Sequence, residues 1–453
     1  MQPSKYHVFA CDQKKPEGQP CCSVNGSAAV LDALRREIGA RGLGETVQLT
    51  VTGSLGLCER GPNLVVYPEG TWYSGVKPQD VPEIVSEHFV AGRPVGRLAN
   101  ADEAAVRAEI QRNRAKFMAA QKAREAAGVV PDELTAMIRG YQESRILLSA
   151  LELDVFTAVG AGATGAEVAK RCGTDPRATE LLLNALVALE VLRLKGDRYE
   201  CAPVAARYLA AGGPDDARDA LKHNLSLWRT WSSLTEAVRQ GHVALRAEMR
   251  ERGDDWTVPF IAAMHRGAAA RAPAVVEAVG AATVKRMLDV GGGSGAYAIA
   301  FARANPELLA VVLDLPTVLP ITEEHIAEAG LSARVTTRPG DLRSDELGDG
   351  FDLVFLSSIC HMLGPSGNLD LLKRCAGALA PGGRVVIQDF ILEPERTRPR
   401  QAVLFALNML VGTESGGTYT ALEYTQWLQA AGLAGVHRVK MPGPADLMIG
   451  ERS

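Results

Sequence analysis

The sequence predicts an α/β protein of several domains: a small α/β unit, a helical segment with a β wing, and a doubly wound domain. Three observations carry that expectation. The chain has 453 residues, roughly three cores' worth at about 150 residues each. From about residue 250 onward, short apolar runs alternate with helical stretches, the pattern of a parallel sheet covered by helices. The eight cysteines are unevenly placed: Cys11, Cys21, Cys22 and Cys58 come early, while Cys172, Cys201, Cys360 and Cys375 are scattered among apolar neighbours. The first segment therefore differs in chemistry from the rest.

Taken in order, residues 1–98 form the small α/β unit. Tyr6–Ala10 reads as a strand entering a polar Pro/Gly loop, Asp12 to Pro20. Val30, Leu31, Leu34 and Ile38 fall at helical spacing. Val47–Thr52 alternates like a strand, and Asn63–Tyr67 is another before a Pro68-Glu69-Gly70 turn. An amphipathic helix near Val81–Phe89 closes the unit. Residues 99–128 are rich in Ala, Glu, Arg, Lys and Gln without Pro, which predicts a solvated helix acting as a semi-rigid spacer.

Residues 129–245 read as almost wholly helical. Thr164-Gly165-Ala166-Glu167 predicts a capped helix ending at Gly173, Asp175–Leu192 predicts the next, and Arg193–Glu200 reads as a strand–turn–strand wing. A winged helix–turn–helix suggests DNA reading. Yet the candidate recognition helix carries Leu181, Leu182, Leu183, Leu186, Val187 and Leu189, with Arg177 its only basic residue. Groove reading needs polar side chains for base edges and phosphates, so packing or dimerisation is expected instead. In residues 246–453, strands are expected at Arg286–Val290, Leu309–Leu313, Val335–Thr337, Leu353–Leu356 and Val385–Ile387, with helices between.

Composition removes several classes. An apolar fraction of 47% with a net charge of −4 excludes disorder. Lys and Arg (49) do not outnumber Asp and Glu (53), so no nucleic-acid partner is expected. Apolar stretches such as Leu308–Leu313 fall far short of the roughly 20 residues of a membrane helix. Lys5-Tyr6-His7 leads straight into Val8-Phe9-Ala10, unlike a secretory signal. The expectation is a cytoplasmic protein that does not enter membranes.

Leu288-Asp289-Val290-Gly291-Gly292-Gly293-Ser294-Gly295 ends the first strand of the last domain. Its glycines let the backbone turn tightly and approach a ligand at the carboxyl ends of the strands. Asp314 ends the next strand, placed to accept hydrogen bonds from ribose hydroxyls, and Gly340-Asp341-Leu342 follows the third. Three markers on successive strand ends point to an adenosine-bearing ligand in a Rossmann-like fold. The loop departs from the G-x-G-x-x-G of NAD sites.

With Asp314-Leu315-Pro316, Gly340-Asp341, Ile359-Cys360-His361 and Ala380-Pro381-Gly382-Gly383-Arg384, that loop makes residues 129–453 resemble the class I S-adenosylmethionine-dependent O-methyltransferases of the caffeate and acetylserotonin type. The resemblance implies a winged-helix dimerisation domain at 129–245, hence a homodimer, and a catalytic domain at 246–453. It implies S-adenosylmethionine contacts at Asp289, Gly291, Gly292, Gly293, Gly295, Asp314, Leu315, Gly340, Asp341, Leu342 and Ser357. Asp314 would hold the ribose, and Asp341 and Leu342 would border the adenine. Ser357 stands where plant relatives often carry Lys.

His361 matches the family's general base. A neutral hydroxyl is a poor nucleophile toward a sulfonium methyl, and an imidazole near pKa 6.5 takes its proton at neutral pH. In the plant enzymes the acid that orients this His lies in a Gly-Gly-x-Glu-Arg-Thr segment. Here Gly416-Gly417-Thr418-Tyr419-Thr420 holds no acid, leaving Asp389 and Glu414 as candidates. Asn408 and Met409 fall where family members line the acceptor, with His223, Trp228 and Met264 as weaker candidates. An apolar lining suits a ring-containing, hydroxyl-bearing small molecule.

Residues 1–98 resemble the thioredoxin-like [2Fe-2S] ferredoxins, on His7–Cys11, Cys22–Ser27 and Gly53–Pro62, with Asn63–Gly70 continuing the match. That resemblance implies two cluster ligands from each of two loops, at Cys11, Cys22, Ser54 and Cys58. Ser54 replaces a Cys, and a serine alkoxide is harder and more basic than a thiolate. A cluster-free assembly domain and thiol redox chemistry at Cys21 and Cys22 are the other readings left open. The implied whole is a methyltransferase with an appended [2Fe-2S] domain and a redox partner. The alternative is an electron-transfer or redox-sensing protein whose methyltransferase-like domain is a regulatory or binding module.

Overall fold

The computed structural model describes residues 4–15, 20–100, 102–244 and 254–453. The chain divides into two compact units, Met1–Ile138 and Arg139–Ser453. Part of the loop expected at Asp12–Pro20, and the boundary expected at 245/246, lie outside the described residues.

In the first unit, β1 (Tyr6–Cys11), β2 (Val47–Thr52), β3 (Asn63–Tyr67) and β4 (Thr71–Ser74) form one sheet in the order β2-β1-β3-β4. β2 lies parallel to β1, and this pairing requires a crossover. α1 (Ser27–Ala40) provides it, burying Val30, Leu31, Leu34 and Ile38 on the sheet. β3 and β4 are antiparallel neighbours. β4 is too short to announce itself by alternation and forms because β3 offers it a hydrogen-bonding edge. α2 (Val81–Glu83) continues as a wider helical turn through Val90.

α3 (Glu103–Ala126) supplies the helix expected over 99–128, but not as a free spacer. Val106 is buried, Asn113 Nδ2 donates to the Gly56 carbonyl at 2.8 Å, and Arg60 pairs with Glu109. Its first half is packed onto the four-stranded unit, because two apolar residues and one acid on its face find partners there. Ile110 is the second of those apolar residues, standing against Gly56.

The next elements are α4 (Asp132–Glu152), within which the division of units falls, α5 (Val155–Val159), α6 (Gly165–Cys172) and α7 (Pro176–Ala188). The wing β5 (Leu192–Lys195) and β6 (Arg198–Cys201) follows, then α8 (Pro203–Tyr208), α9 (Arg218–Trp231) and α10 (Leu234–Gln240). Thr164 and Glu167 cap α6 reciprocally, and Gly173 ends it at a φ of 66°, a conformation that favours glycine. Asp175 caps α7, with Pro176 at its first position. Leu183 and Leu186 of α7 are buried with Phe156 and Tyr199. The apolar face of this helix is spent on the core.

α11 (Asp254–Val279) leads into β7 (Arg286–Val290), α12 (Ala296–Ala304), β8 (Leu309–Asp314), α13 (Leu319–Glu328) and β9 (Val335–Pro339). The chain continues through β10 (Phe351–Ser357), α14 (Pro365–Ala378), β11 (Leu379–Asp389), β12 (Ile391–Leu392), α15 (Arg400–Gly412) and β13 (Tyr419–Thr420). α16 (Ala421–Ala430), β14 (Ala434–Val439) and β15 (Asp446–Glu451) complete it. The sheet order is β14-β15-β11-β10-β7-β8-β9. It is mixed rather than wholly parallel, because β15 runs antiparallel to both β11 and β14. The return from Val439 to Asp446 is too short for a crossover. Among the described residues, no helix is long and apolar enough to cross a membrane.

Candidate active site

The site is built where β7 to β10 end. After Val290 the chain turns through Gly291 and Gly293, with φ of 66° and 56°. A Cβ on Gly292 would lie 2.7 Å from the Asp289 carboxyl carbon, and one on Gly291 would collide with Ile359. Glycine is thus required at both places. Together these strand ends and α11 line a cleft. Every residue expected at the cofactor lines it, from Asp289 through Asp341 to Ser357, except Gly295. Gly295 instead starts α12 at a φ of 73°, facing Thr322; its role is in the turn.

The charges in the cleft are unevenly satisfied. Asp314 accepts from Gly293 N at 2.8 Å and Leu315 N at 2.7 Å, while burial pushes its pKa up. Asp289 is fully buried and neither of its oxygens meets a donor at hydrogen-bond geometry. Burial raises its pKa to about 7; the Ala298 N–H opposes the rise and Asp314 adds to it. α11 walls the far side with Phe260, Ile261, Met264 and Arg271. Of these only Met264 was singled out from sequence, although the spacing of 260, 264 and 271 places them along one helical face. His265 Nδ1 meets Ser294 Oγ at 2.8 Å and so joins α11 to the glycine loop.

His361 stands on the single turn after β10, buried, with Nδ1 2.7 Å from Asp389 Oδ1. Its backbone N–H donates to Asp389 Oδ2 at 3.1 Å, and Phe390 N donates to Oδ1 at 2.8 Å. Asp389 ends β11 and is 1% exposed. Glu414 is exposed; Asp389 is the acid that meets the histidine. With Nδ1 held by a carboxylate, the ring proton belongs on Nδ1 and Nε2 carries the lone pair. The ring sits edge-on to Phe405 at 4.8 Å, and Phe405 lies 4.3 Å from Phe390. His361 itself does not line the cleft, whereas Ile359, Met362 and Leu363 beside it do.

The expected acceptor residues lie on α15, close in sequence to Phe405. Asn408 Oδ1 accepts from Trp231 Nε1 at 2.9 Å, and Met409 is buried. Trp231, on α9, carried no sequence signal. His223 packs edge-on to Phe260 at 5.3 Å, and Trp228 lies 5.8 Å from the Arg145 guanidinium.

Comparison with known proteins agrees with this geometry. An O-methyltransferase dimerisation domain matches residues 135–211, and an O-methyltransferase domain matches residues 231–434. The chain is 35% identical to the 3-hydroxy-5-methyl-1-naphthoate 3-O-methyltransferase of Streptomyces sahachiroi, over 69% of this chain and 92% of that protein. The chain belongs to the O-methyltransferase family. It is also 30% identical to the tetracenomycin polyketide synthesis 8-O-methyl transferase of Streptomyces glaucescens, over 71% of this chain and 97% of that one. Human N-acetylserotonin methyltransferase in complex with S-adenosylmethionine superposes with a TM-score of 0.63 at 25% identity, over 71% and 96% of the two chains. The protein is accordingly an S-adenosylmethionine-dependent methyltransferase of small molecules. The cleft fits that cofactor: a glycine cradle for close backbone approach, and a buried acid awaiting a cation.

In this methyltransferase the amino-terminal cysteines precede both matched segments. Cys11 lies against Cys22, whose hydrogen bond lowers the Cys11 pKa to about 6 despite burial, with help from the Gln13 and Leu55 amides. The same contact raises the Cys22 pKa. Ser54 Oγ lies 3.1 Å from Cys58 Sγ. Asn63 Nδ2 donates to the Leu57 carbonyl at 2.8 Å and to Cys22 Sγ at 3.5 Å, knitting the two loops together. Among the described residues, no three His, Cys, Asp or Glu side chains are grouped to hold a single metal ion. A two-iron cluster asks for something different, two protein donors per iron. Cys11 and Cys22 lie together, as do Ser54 and Cys58.

Proposed function

We propose that this methyltransferase methylates a ring hydroxyl of a small molecule, with His361 as general base and Asp389 as the group that orients it. The observation that carries the reading is the 2.7 Å contact between His361 Nδ1 and Asp389 in a buried pocket. The cofactor, when bound, supplies a sulfonium methyl as electrophile. Asp289 would hold its ammonium, Asp314 the ribose hydroxyls, and Asp341 with Leu342 the adenine. Asp389, an acceptor on both oxygens, keeps the proton on Nδ1 and leaves Nε2 free to take the acceptor's hydroxyl proton. The imidazolium so produced is stabilised by the same carboxylate. Phe390 and Phe405 beside the base favour a flat, apolar acceptor, in keeping with the naphthoate and polyketide named for two relatives. This reading is preferred to an electron-transfer protein because the chain belongs to the O-methyltransferase family.

We further infer that the chain works as a homodimer. The first unit we read as a thioredoxin-like domain carrying a [2Fe-2S] cluster on Cys11, Cys22, Ser54 and Cys58, where three thiolates would supply the soft donors that iron favours. The catalytic reading is tested with labelled cofactor and hydroxynaphthoate or hydroxyindole acceptors. His361→Ala should lower kcat/KM by roughly 10²- to 10⁴-fold, with cofactor affinity unchanged. Asp389→Asn should also lower kcat and alter the pH profile, since an amide can stabilise the wrong tautomer. Full activity in His361→Ala would overturn the role of base and leave positioning alone as the source of rate.

A further inference from the structure

Arg271 enters the cofactor cleft from α11, and no carboxylate or carbonyl among the described residues accepts a hydrogen bond from it. Its Nε is buried without a partner. A guanidinium is a planar fork that matches a carboxylate bidentately, and leaving it unpaired beneath the surface is costly. The helix makes room for it. Gly267 lies one turn earlier, and a Cβ there would stand 3.2 and 3.4 Å from the two terminal guanidinium nitrogens. Long helical side chains lean toward the amino end of their helix, so the missing side chain at 267 leaves the space that the Arg271 head occupies.

The cleft's other unpaired charge is Asp289. Asp289 stands beside Ala298 of α12, and Ala272, next to Arg271, shares a core cluster with Tyr297 and Ala298. One unpartnered anion and one unpartnered cation thus line the same cleft. The other arginine on the cleft, Arg343, is exposed and follows Leu342 at a different strand end. Of the cofactor's parts, only the amino-acid end carries both an ammonium and a carboxylate. We propose that Arg271 binds the carboxylate of the cofactor's methionine moiety, opposite Asp289 on the ammonium. The proposal rests on the cofactor reading above.

Calorimetry with two probes tests it, S-adenosylhomocysteine and its decarboxylated analogue, which differ only in that carboxylate. The wild-type protein should bind the first roughly 10- to 100-fold more tightly, the range for a charged hydrogen-bonded pair. Arg271→Gln should lose this preference by weakening S-adenosylhomocysteine alone, and Arg271→Lys should recover part of it. Equal affinity of the wild type for both probes would overturn the proposal without needing any variant. Equal loss for both probes in Arg271→Gln would also overturn it, showing a packing role. Binding of neither probe to the wild type would instead remove the cofactor reading itself.

Discussion

Asp289 is a carboxyl group with no donor, in a place where ionisation is opposed by burial. A pKa raised from 3.8 to about 7 means the folded chain binds a proton that the unfolded chain releases. Its contribution to stability is therefore complete below the unfolded value and is lost as pH rises through about 7, on the order of 4 kcal/mol in all. The cofactor-free protein should lose melting temperature between about pH 4 and pH 8 more steeply than Asp289→Asn, which has nothing to ionise. The variant should be the more stable of the two above pH 7 and should fail to bind S-adenosylhomocysteine. Parallel melting curves against pH would show that the carboxyl is satisfied after all. Such residues differ in how far sequence discloses them. Asp289 and His361 sit in motifs whose spacing is local. Asp389 could be named but not chosen, since its meeting with His361 depends on β10 and β11 lying side by side. Arg271 was invisible: one arginine in an alanine-rich helix says nothing until the strand ends it faces are known.

Elements were legible where the forces that make them are local. The Thr164–Glu167 box and Gly173 bracket α6, alternation marks β2 and a short apolar run marks β3, because capping and pleat are written in adjacent residues. β4 and the antiparallel β14–β15 pair were missed, since each depends on an edge offered by a distant strand. α3 was read as wholly solvated because Arg60, which pairs with its Glu109, lies far back in the chain. α4 shows the reverse case, an apolar stripe left exposed among the described residues. Leu134, Met137, Ile138 and Tyr141 follow one helical face and are 47%, 77%, 64% and 56% exposed. The dimerisation match begins at residue 135, so a second copy is the natural cover. Sedimentation should give twice the chain mass for the wild type and a monomer for the double change Met137→Glu with Ile138→Glu. A monomeric wild type, or a dimer indifferent to both charges, would place the interface elsewhere.

The two closely related bacterial methyltransferases are covered over 92% and 97% of their own lengths by only 69% and 71% of this chain. Proteins that lack the first unit thus hold a complete methyltransferase architecture, and the residues walling the cleft all lie from 260 onward. In the cluster proposed above the donors would fall into two pairs, one soft and one mixed, of which Ser54–Cys58 would be the weaker for iron. Purified without oxygen, the full chain should contain iron and sulfide in equal amounts, two of each per chain, as a [2Fe-2S] cluster requires. Ser54→Cys should slow loss of the cluster to a chelator and raise its reduction potential, because a thiolate replaces a harder, more basic oxygen. Stripping the metal should leave S-adenosylhomocysteine affinity within about two-fold, since no proposed ligand contributes to that cleft. A chain that stays free of iron after anaerobic reconstitution, in the wild type and in Ser54→Cys alike, would make the first unit an assembly domain. The thiol contact at Cys11 and Cys22 would then be a relic of packing rather than a binding site.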